Sequence, residues 1–378
     1  MMQPACNEKL CAAASCTYET YRNTSFFASL DGLRCLSILA VIWHHTGMHI
    51  EGLSFTQRGF LGVDLFFAIS GFLITTLLLR EKERWGGISL GSFYIRRTLR
   101  IFPVYYTVII LYIIIVWSLE RTSFLGQQFF SNLPYFLTYT SNWFVKPDHR
   151  VIFYFAWSLA TEEQFYLIWP TVEKFLNGWR PVGLIIAILM VRELVEIAVA
   201  FGQMRGDNWG VVILLSIHPA ILGGVVMAHL LHDRRIFAFV SPLLGGRWSA
   251  FIIFIGLIVA VELNLPQGGV WLLMVLLVGS VVIFELNSLR PLLTWRPIVH
   301  IGMVSYGIYL MHMISYNAVK EMLPVIGLDY SWLWFPSTVL LSTFAATLSY
   351  RYYESWFLRL KSQFARVQTR HPVPAEQS

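Results

Sequence analysis

Arg34 and His45 stand eleven positions apart in one apolar stretch, Leu30 to His49, which reads LDGLRCLSILAVIWHHTGMH. On a helix this spacing is about three turns, so both side chains would project from one face about 16 Å apart. An imidazole there could act as a general base or nucleophile, and ionisable groups in membrane helices usually mark function. The alternatives are a packing histidine and an arginine that anchors the helix end. Asp31 is predicted to cap the N-terminus of this helix.

Asp64 is a carboxylate that could lie beside His45. It lies near the outer end of the second apolar stretch, at a depth that matches His45 on the first. A carboxylate there could bond one imidazole nitrogen, fix its tautomer and raise the basicity of the other nitrogen. A helix N-cap or an ion pair with Arg58 are the alternatives. We predict the pairing with His45, because short loops bring neighbouring helices together.

Arg97 and Arg100 lie in the most basic segment of the chain, which ends RRTLRIFPVYY. They are three residues apart and therefore adjacent on a helical face. Guanidinium groups bind phosphate in a two-pronged geometry, so this pair would suit a phosphorylated cofactor or anionic lipid. Anchoring of the helix at the membrane surface is the alternative explanation.

Glu162 is the first of two adjacent carboxylates in WSLATEEQFYLIWP, near the middle of a predicted membrane span. Two carboxylates within a span cost several kcal/mol, of order ~2.5–3.5 each, unless they are paired or hydrated. At least one of them must therefore have a partner, and Tyr166 follows Glu162 at the i+4 position. No metal-ligand set, phosphate-binding glycine loop or nucleophile elbow accompanies these residues.

The elements that position these residues are apolar helices. Hydrophobic residues make up 56% of the chain and charged residues only 13%, whereas soluble domains carry about 25% charge. A spanning helix needs about 20 mainly apolar residues. The sequence therefore predicts an all-α, polytopic transmembrane bundle of about ten spans: 33–50, 59–79, 101–118, 151–172, 181–200, 211–231, 248–265, 268–286, 298–319 and 332–353.

The distribution of basic residues predicts the orientation of the bundle. With a cytoplasmic N-terminus, 21 of the 28 lysines and arginines fall on the cytoplasmic side, six fall outside and Arg192 lies in a span. Both termini are therefore predicted to be cytoplasmic, and topology accounts for the net charge of +6 without a nucleic-acid partner. The cysteines, Cys6, Cys11, Cys16 and Cys35, lie on the reducing side, where a disulfide framework is not expected.

We predict a single membrane domain over residues 29–361, between a cytoplasmic tail (1–28) that includes a short surface helix and a disordered cytoplasmic tail (362–378). The protein is expected to be integral to the membrane, in the inner membrane if it is bacterial, with membrane lipids as partners. Small residues such as Gly62 and Gly71 would permit close helix contact.

Five motifs occur together and in order: LDGLR followed by His45, GVDLFFAISGFLIT, RRTLRIFPVYY, WSLATEEQFYLIWP and IGMVSYGIYLMH. In this combination the chain resembles the acyltransferase 3 family of membrane acyltransferases over about residues 28–361. Two positions depart from the family pattern. His218 falls where an arginine is common, and Ser355 and Trp356 stand where a proline usually follows Glu354. No esterase-like domain is expected within this chain.

The resemblance implies transfer of an acyl group, usually acetyl, from acyl-CoA to hydroxyls of glycans, lipid-linked sugars or similar acceptors. It also implies that functional positions of the family are occupied here by Arg34, His45, Arg97, Arg100 and Glu162. Acetyl-CoA is the expected donor, held by Arg97 and Arg100, with no metal. His45, oriented by Asp64 or Glu162, would act as the general base or carry the acyl group transiently, and Arg34 would guide the donor or steady an oxyanion.

A second function remains open at this point. In a proton-coupled transporter or flippase of amphiphilic substrates, the intramembrane histidine and carboxylates would form a proton relay. Uptake driven by a proton gradient without release of CoA would favour that alternative.

Overall fold

A computed structural model describes residues 18–146, 150–328 and 330–364. These residues form helices joined by turns, with one isolated β-bridge and no strand within the described ranges. Cys35 is a free, buried thiol, and the other cysteines lie outside the described residues. The short helix expected before the first span is present. The helices are α1 (Tyr18–Asn23), α2 (Ala28–His45), α3 (Leu61–Trp85), α4 (Leu90–Leu119), α5 (Phe124–Leu137), α6 (Ser141–Phe144), α7 (Ala156–Phe175), α8 (Arg180–Ala200), α9 (Trp209–Leu215), α10 (Pro219–His232), α11 (Arg234–Leu244), α12 (Ser249–Glu262), α13 (Gln267–Ile283), α14 (Arg290–Leu293), α15 (Arg296–Met303), α16 (Ser305–Val325), α17 (Ser331–Ser349) and α18 (Ser355–Ser362).

The helices differ in how well they could cross a membrane. By length and hydropathy, α3 and α4 qualify on their own among the described residues, and five spans result if each bent helix pair is counted as one. The bent pairs are α9 with α10, at 50°, α11 with α12, at 72°, and α15 with α16, at 80°. The protein is thus a helical, integral membrane protein, while the number of ten spans and the cytoplasmic termini stay predictions.

The most extensive helix packing among the described residues joins α3 to α10. A Cβ atom on Gly71 would lie 2.0 Å from the carbonyl oxygen of Ile221, and one on Gly224 would lie 2.2 Å from that of Ala68. The two backbones touch because glycine occupies the contact on both helices, as is common where small residues face each other in membranes. Gly62 makes the same kind of contact between α3 and α2, against the carbonyl oxygen of Ser37. The prediction of close contacts at Gly62 and Gly71 is confirmed.

The start of α2 differs from the prediction. The helix begins at Ala28, so Asp31 lies within its first turn and is not the N-cap. A Cβ atom on Gly302 of α15 would lie 1.9 Å from the carbonyl oxygen of Asp31, so the backbone here is held against a neighbouring helix. The Asp31 carboxylate instead accepts from Arg34 one turn later, at 2.9 Å. The capping prediction failed because the carboxylate has a stronger, charged partner than a backbone N–H.

Candidate active site

A cavity of about 210 Å³ opens between α2, α3, α4, α7 and α16 at the Arg34 end of α2. Its walls combine several charged side chains with a mainly aliphatic and aromatic surface. The charged lining residues are Asp31, Arg34, Glu81, Arg96, Arg97, Arg100, Glu162 and Glu163. The structure therefore places four of the predicted site residues, from three different helices, around one space: Arg34, Arg97, Arg100 and Glu162.

Arg97 and Arg100 reach the cavity because α4 begins at Leu90, well before the apolar segment from which the span was predicted. The helix continues through Pro103, so the basic segment and the apolar segment form one continuous element. Both arginines line the cavity from the same helical face. The Arg97 guanidinium also lies 4.9 Å from the ring centroid of Tyr166, a distance typical of a cation–π contact.

Glu162 has hydrogen-bond partners, as predicted for a carboxylate within an apolar helix. Its Oε1 atom accepts hydrogen bonds from the hydroxyl of Ser70 on α3 and from the hydroxyl of Tyr166 one turn further along α7. Since the ring of Tyr166 supports Arg97, a continuous set of contacts runs from Ser70 through Glu162 to the guanidinium. Glu162 therefore positions the side chains around the arginines, and the structure gives it no contact with His45.

His45 lies at the opposite end of α2 from Arg34. Its Nδ1 atom is 2.9 Å from the backbone carbonyl oxygen of Val41 and 3.3 Å from Nε2 of His312 on α16. The two imidazole rings are tilted against each other with centroids 4.9 Å apart. The side chain of His45 is partly exposed, whereas His312 is fully buried.

Asp64 does not pair with His45, and the predicted contact is wrong. Its Oδ2 atom accepts from the indole N–H of Trp271 at 2.8 Å, and its Oδ1 atom lies 3.3 Å from Nε2 of His218. The rotation of α3 explains the difference. Gly62 faces α2, and a residue two positions later is turned about 200° around the helix axis, so Asp64 points away from α2 toward α10 and α13.

Tyr309 connects the cavity with the histidine pair. Its side chain lines the cavity, and its hydroxyl is 2.6 Å from Ser158 Oγ and donates to the carbonyl oxygen of Phe155 at 3.0 Å. His312 follows one turn later on α16, with its ring 5.5 Å from that of Tyr309. Tyr309 therefore lies in the wall of the arginine-lined cavity and beside His312, the hydrogen-bond partner of His45. No group of three His, Cys, Asp or Glu side chains in the described residues could hold a metal ion.

Comparison with known proteins assigns the chain to a protein family. A family model described as an acyltransferase domain, Acyl_transf_3, matches residues 27–351, which is most of the chain. The chain belongs to the acyltransferase 3 family. The resemblance seen in the five motifs is confirmed, and this acyltransferase is an enzyme of that class. No solved structure matches it.

Several curated relatives of the acyltransferase carry names that specify the acyl group. It is 28% identical to the peptidoglycan O-acetyltransferase OatA of Listeria monocytogenes, over 89% of this chain and 56% of the relative. It is 27% identical to the putative peptidoglycan O-acetyltransferase YrhL of Bacillus subtilis, with the same coverage of both chains. A putative O-acetyltransferase of Staphylococcus aureus is 34% identical over 41% of this chain. The acyltransferase thus spans about half the length of the curated relatives it matches over most of its chain.

Sequence reasoning missed the contacts around the arginine-lined cavity and those between the cavity wall and His45. Ser70 stands among small and apolar residues in GVDLFFAISGFLIT, and nothing in that motif indicates that it donates to Glu162. Tyr309 and His312 both stand in the motif IGMVSYGIYLMH, but the sequence does not link either residue to His45. The i, i+3 spacing of Tyr309 and His312 in SYGIYLMH was the available signal, but nothing in the chain indicated that this face meets α2.

Proposed function

We propose that the protein is an integral-membrane O-acetyltransferase that takes an acetyl group from acetyl-CoA and transfers it to a hydroxyl of a glycan such as peptidoglycan. The observation that carries the proposal is the joint placement of Arg34, Arg97 and Arg100 around one cavity, whose wall includes Tyr309 beside the His312–His45 pair. Membership of an acyltransferase family supports the reaction class, and the O-acetyltransferase names of the relatives support the acetyl group.

The lining of the cavity fits an acyl-CoA donor. Guanidinium groups at its polar end would hold phosphates, and the apolar wall formed by Leu73, Ile74 and Leu77 would contact the pantetheine arm. Pockets that enclose drug-sized ligands measure about 300–1,000 Å³, more than this cavity. We therefore expect the cavity to take the arm and the thioester, with the nucleotide outside. Arg34, which forms an ion pair with Asp31, would guide the donor into the cavity.

His45 is the proposed catalytic base. As a general base it would take the proton of the acceptor hydroxyl, whose oxygen attacks the thioester carbonyl. The carbon–sulfur bond then breaks, and the CoA thiolate leaves with that proton, so the products are an ester and free CoA. In the second route a ring nitrogen of His45 attacks the thioester carbonyl and the CoA thiolate leaves. The acceptor hydroxyl then attacks the acetyl group on His45, its proton goes to the thiolate, and the products are again the ester, free CoA and the free imidazole. Both routes require Tyr309 to let the thioester reach the imidazole.

The acceptor class follows from the relatives. Two relatives that cover most of this chain are named for peptidoglycan, a polymer of sugars with free hydroxyls, so a glycan hydroxyl is the acceptor we propose. The acceptor would approach from the His45 end of α2, opposite the arginines.

The test is acceptor-dependent release of CoA thiol from acetyl-CoA by the purified protein in lipid nanodiscs. We expect release with peptidoglycan fragments, loss of release in His45→Ala, and release close to wild type in His44→Ala. His44 is a matched control because it is the exposed neighbour of His45 on the same helix turn. Release of thiol that does not depend on any glycan, or full activity of His45→Ala, would contradict the proposal.

A further inference from the structure

Among the described residues, His312 is the only one whose side chain hydrogen-bonds to the side chain of His45. It is 0% exposed, and its Nδ1 atom lies 2.5 Å from the backbone carbonyl oxygen of Tyr309 on its own helix. Phe155 packs against the ring, with centroids 5.1 Å apart. A buried histidine held on one side by a carbonyl and covered by an aromatic ring has a fixed orientation.

The hydrogen bonds define where the protons of the pair reside. A carbonyl oxygen only accepts, so the Nδ1 atom of His312 carries its proton and donates it to Tyr309. By the same argument the Nδ1 atom of His45 carries its proton toward Val41. The Nε2 atom of His312 then carries a lone pair and accepts from the Nδ1–H group of His45. The Nδ1 proton of His45 is therefore shared between the carbonyl oxygen of Val41 and His312.

We propose that His312 is a positioning residue that holds His45 in the tautomer with a free, basic Nε2 atom. The proposal rests on the proposed function, in which that Nε2 atom takes the acceptor proton or the acetyl group. When His45 becomes positively charged in either route, its Nδ1–H group donates to both Val41 and His312, which stabilises the charge. His312 keeps its own proton on Nδ1 throughout, so no proton passes between the rings.

The arrangement replaces a carboxylate with a neutral imidazole in the place that usually orients a catalytic histidine. The titratable groups that face the pair are His44, with its ring 5.4 Å from that of His45, and Tyr309. Asp64 is bound to Trp271 and His218, and Glu162 to Ser70 and Tyr166. The sequence predicted a carboxylate as the partner of His45, but the partner is His312 of α16.

Two variants separate positioning from packing. Leucine at position 312 fills a comparable volume and accepts no hydrogen bond, whereas the amide oxygen of glutamine accepts from His45 and its amide nitrogen donates to Tyr309. We expect His312→Leu to lower kcat about tenfold with little change in the KM for acetyl-CoA, since it removes a hydrogen bond made to the charged form of His45. His312→Gln should recover most of that loss. Met313→Leu, one position further on α16, is the control for repacking of the helix.

A second measurement does not depend on acetyl transfer. Diethyl pyrocarbonate modifies neutral imidazole nitrogens, and peptide mass spectrometry gives the modification rate of His45 separately from that of His44. We expect this rate to fall about fivefold in His312→Leu and to recover in His312→Gln, while Met313→Leu matches the wild type. Equal rates of His45 modification in wild type and His312→Leu, or equal impairment of the leucine and glutamine variants, would overturn the proposal. If no variant releases thiol but the modification rates differ as expected, the proposed function fails and the positioning role stands.

Discussion

The Oδ1 atom of Asp64 lies 3.3 Å from the Nε2 atom of His218, at the break between α9 and α10. The opposite nitrogen of His218 accepts the backbone N–H of Ala220 at 3.3 Å, so the imidazole caps the N-terminus of α10 and donates to the carboxylate. Asp64 is thereby bound to the start of α10 and to Trp271 of α13. These contacts give the carboxylate a role in holding three helices together.

Asp64→Asn is expected to lower stability more than turnover. An amide presents one acceptor atom where the carboxylate presents two, so the partly buried indole of Trp271 or the imidazole of His218 loses its acceptor, at a cost of about 1–3 kcal/mol. Thermal unfolding in detergent would show a lower melting temperature, and kcat of the folded fraction should stay within about twofold of wild type, a change of about 0.4 kcal/mol. Asp207→Asn, at an exposed loop position, is the control. A large loss of kcat without a loss of stability would instead support the catalytic role that the sequence suggested for Asp64.

Arg97→Ala is expected to raise the KM for acetyl-CoA by about tenfold or more, since a charge-assisted hydrogen bond contributes about 1.5–3 kcal/mol. The KM of Arg97→Lys should lie between that of the wild type and that of Arg97→Ala. Lysine keeps the positive charge but has neither the two-pronged geometry nor the contact with Tyr166. Initial rates at varied acetyl-CoA concentration measure both variants. Arg84→Ala removes an exposed arginine from α3 and should leave KM unchanged. An unchanged KM in Arg97→Ala would remove this residue from the donor site.

Gly302→Ala is expected to impair both folding and activity. The new Cβ atom would lie 1.9 Å from the carbonyl oxygen of Asp31, so α2 or α15 must move, at a cost of about 1–3 kcal/mol. That movement displaces the carboxylate that holds Arg34. Yield of folded protein and the rate of thiol release measure the two effects. Gly256→Ala, where the added atom meets open space on α12, should be neutral or stabilising. Wild-type behaviour of Gly302→Ala would show that the contact between α2 and α15 is not required.

Helical spacing and residue type predicted part of the arrangement around the cavity. Arg97 and Arg100 face the same space because they are three residues apart on one helix, and Glu162 needed a partner because it is a carboxylate among apolar residues. The partners themselves were not predictable in this way. Asp64 faces away from His45 because Gly62 fixes the rotation of α3, and His45 meets His312 across 267 positions of the chain. Such contacts depend on how helices assemble, which no local pattern specifies.

The glycine contacts between α3 and α10 also limit how the enzyme can move. Side chains can change rotamer to let helices slide, but at Gly71 and Gly224 main-chain atoms meet main-chain atoms, and no rotamer change can create clearance. We therefore expect α3 and α10 to move as one unit. A path for the proposed donor past Tyr309 would then need displacement of α16 or α7, which are joined there by the contact between the hydroxyls of Ser158 and Tyr309.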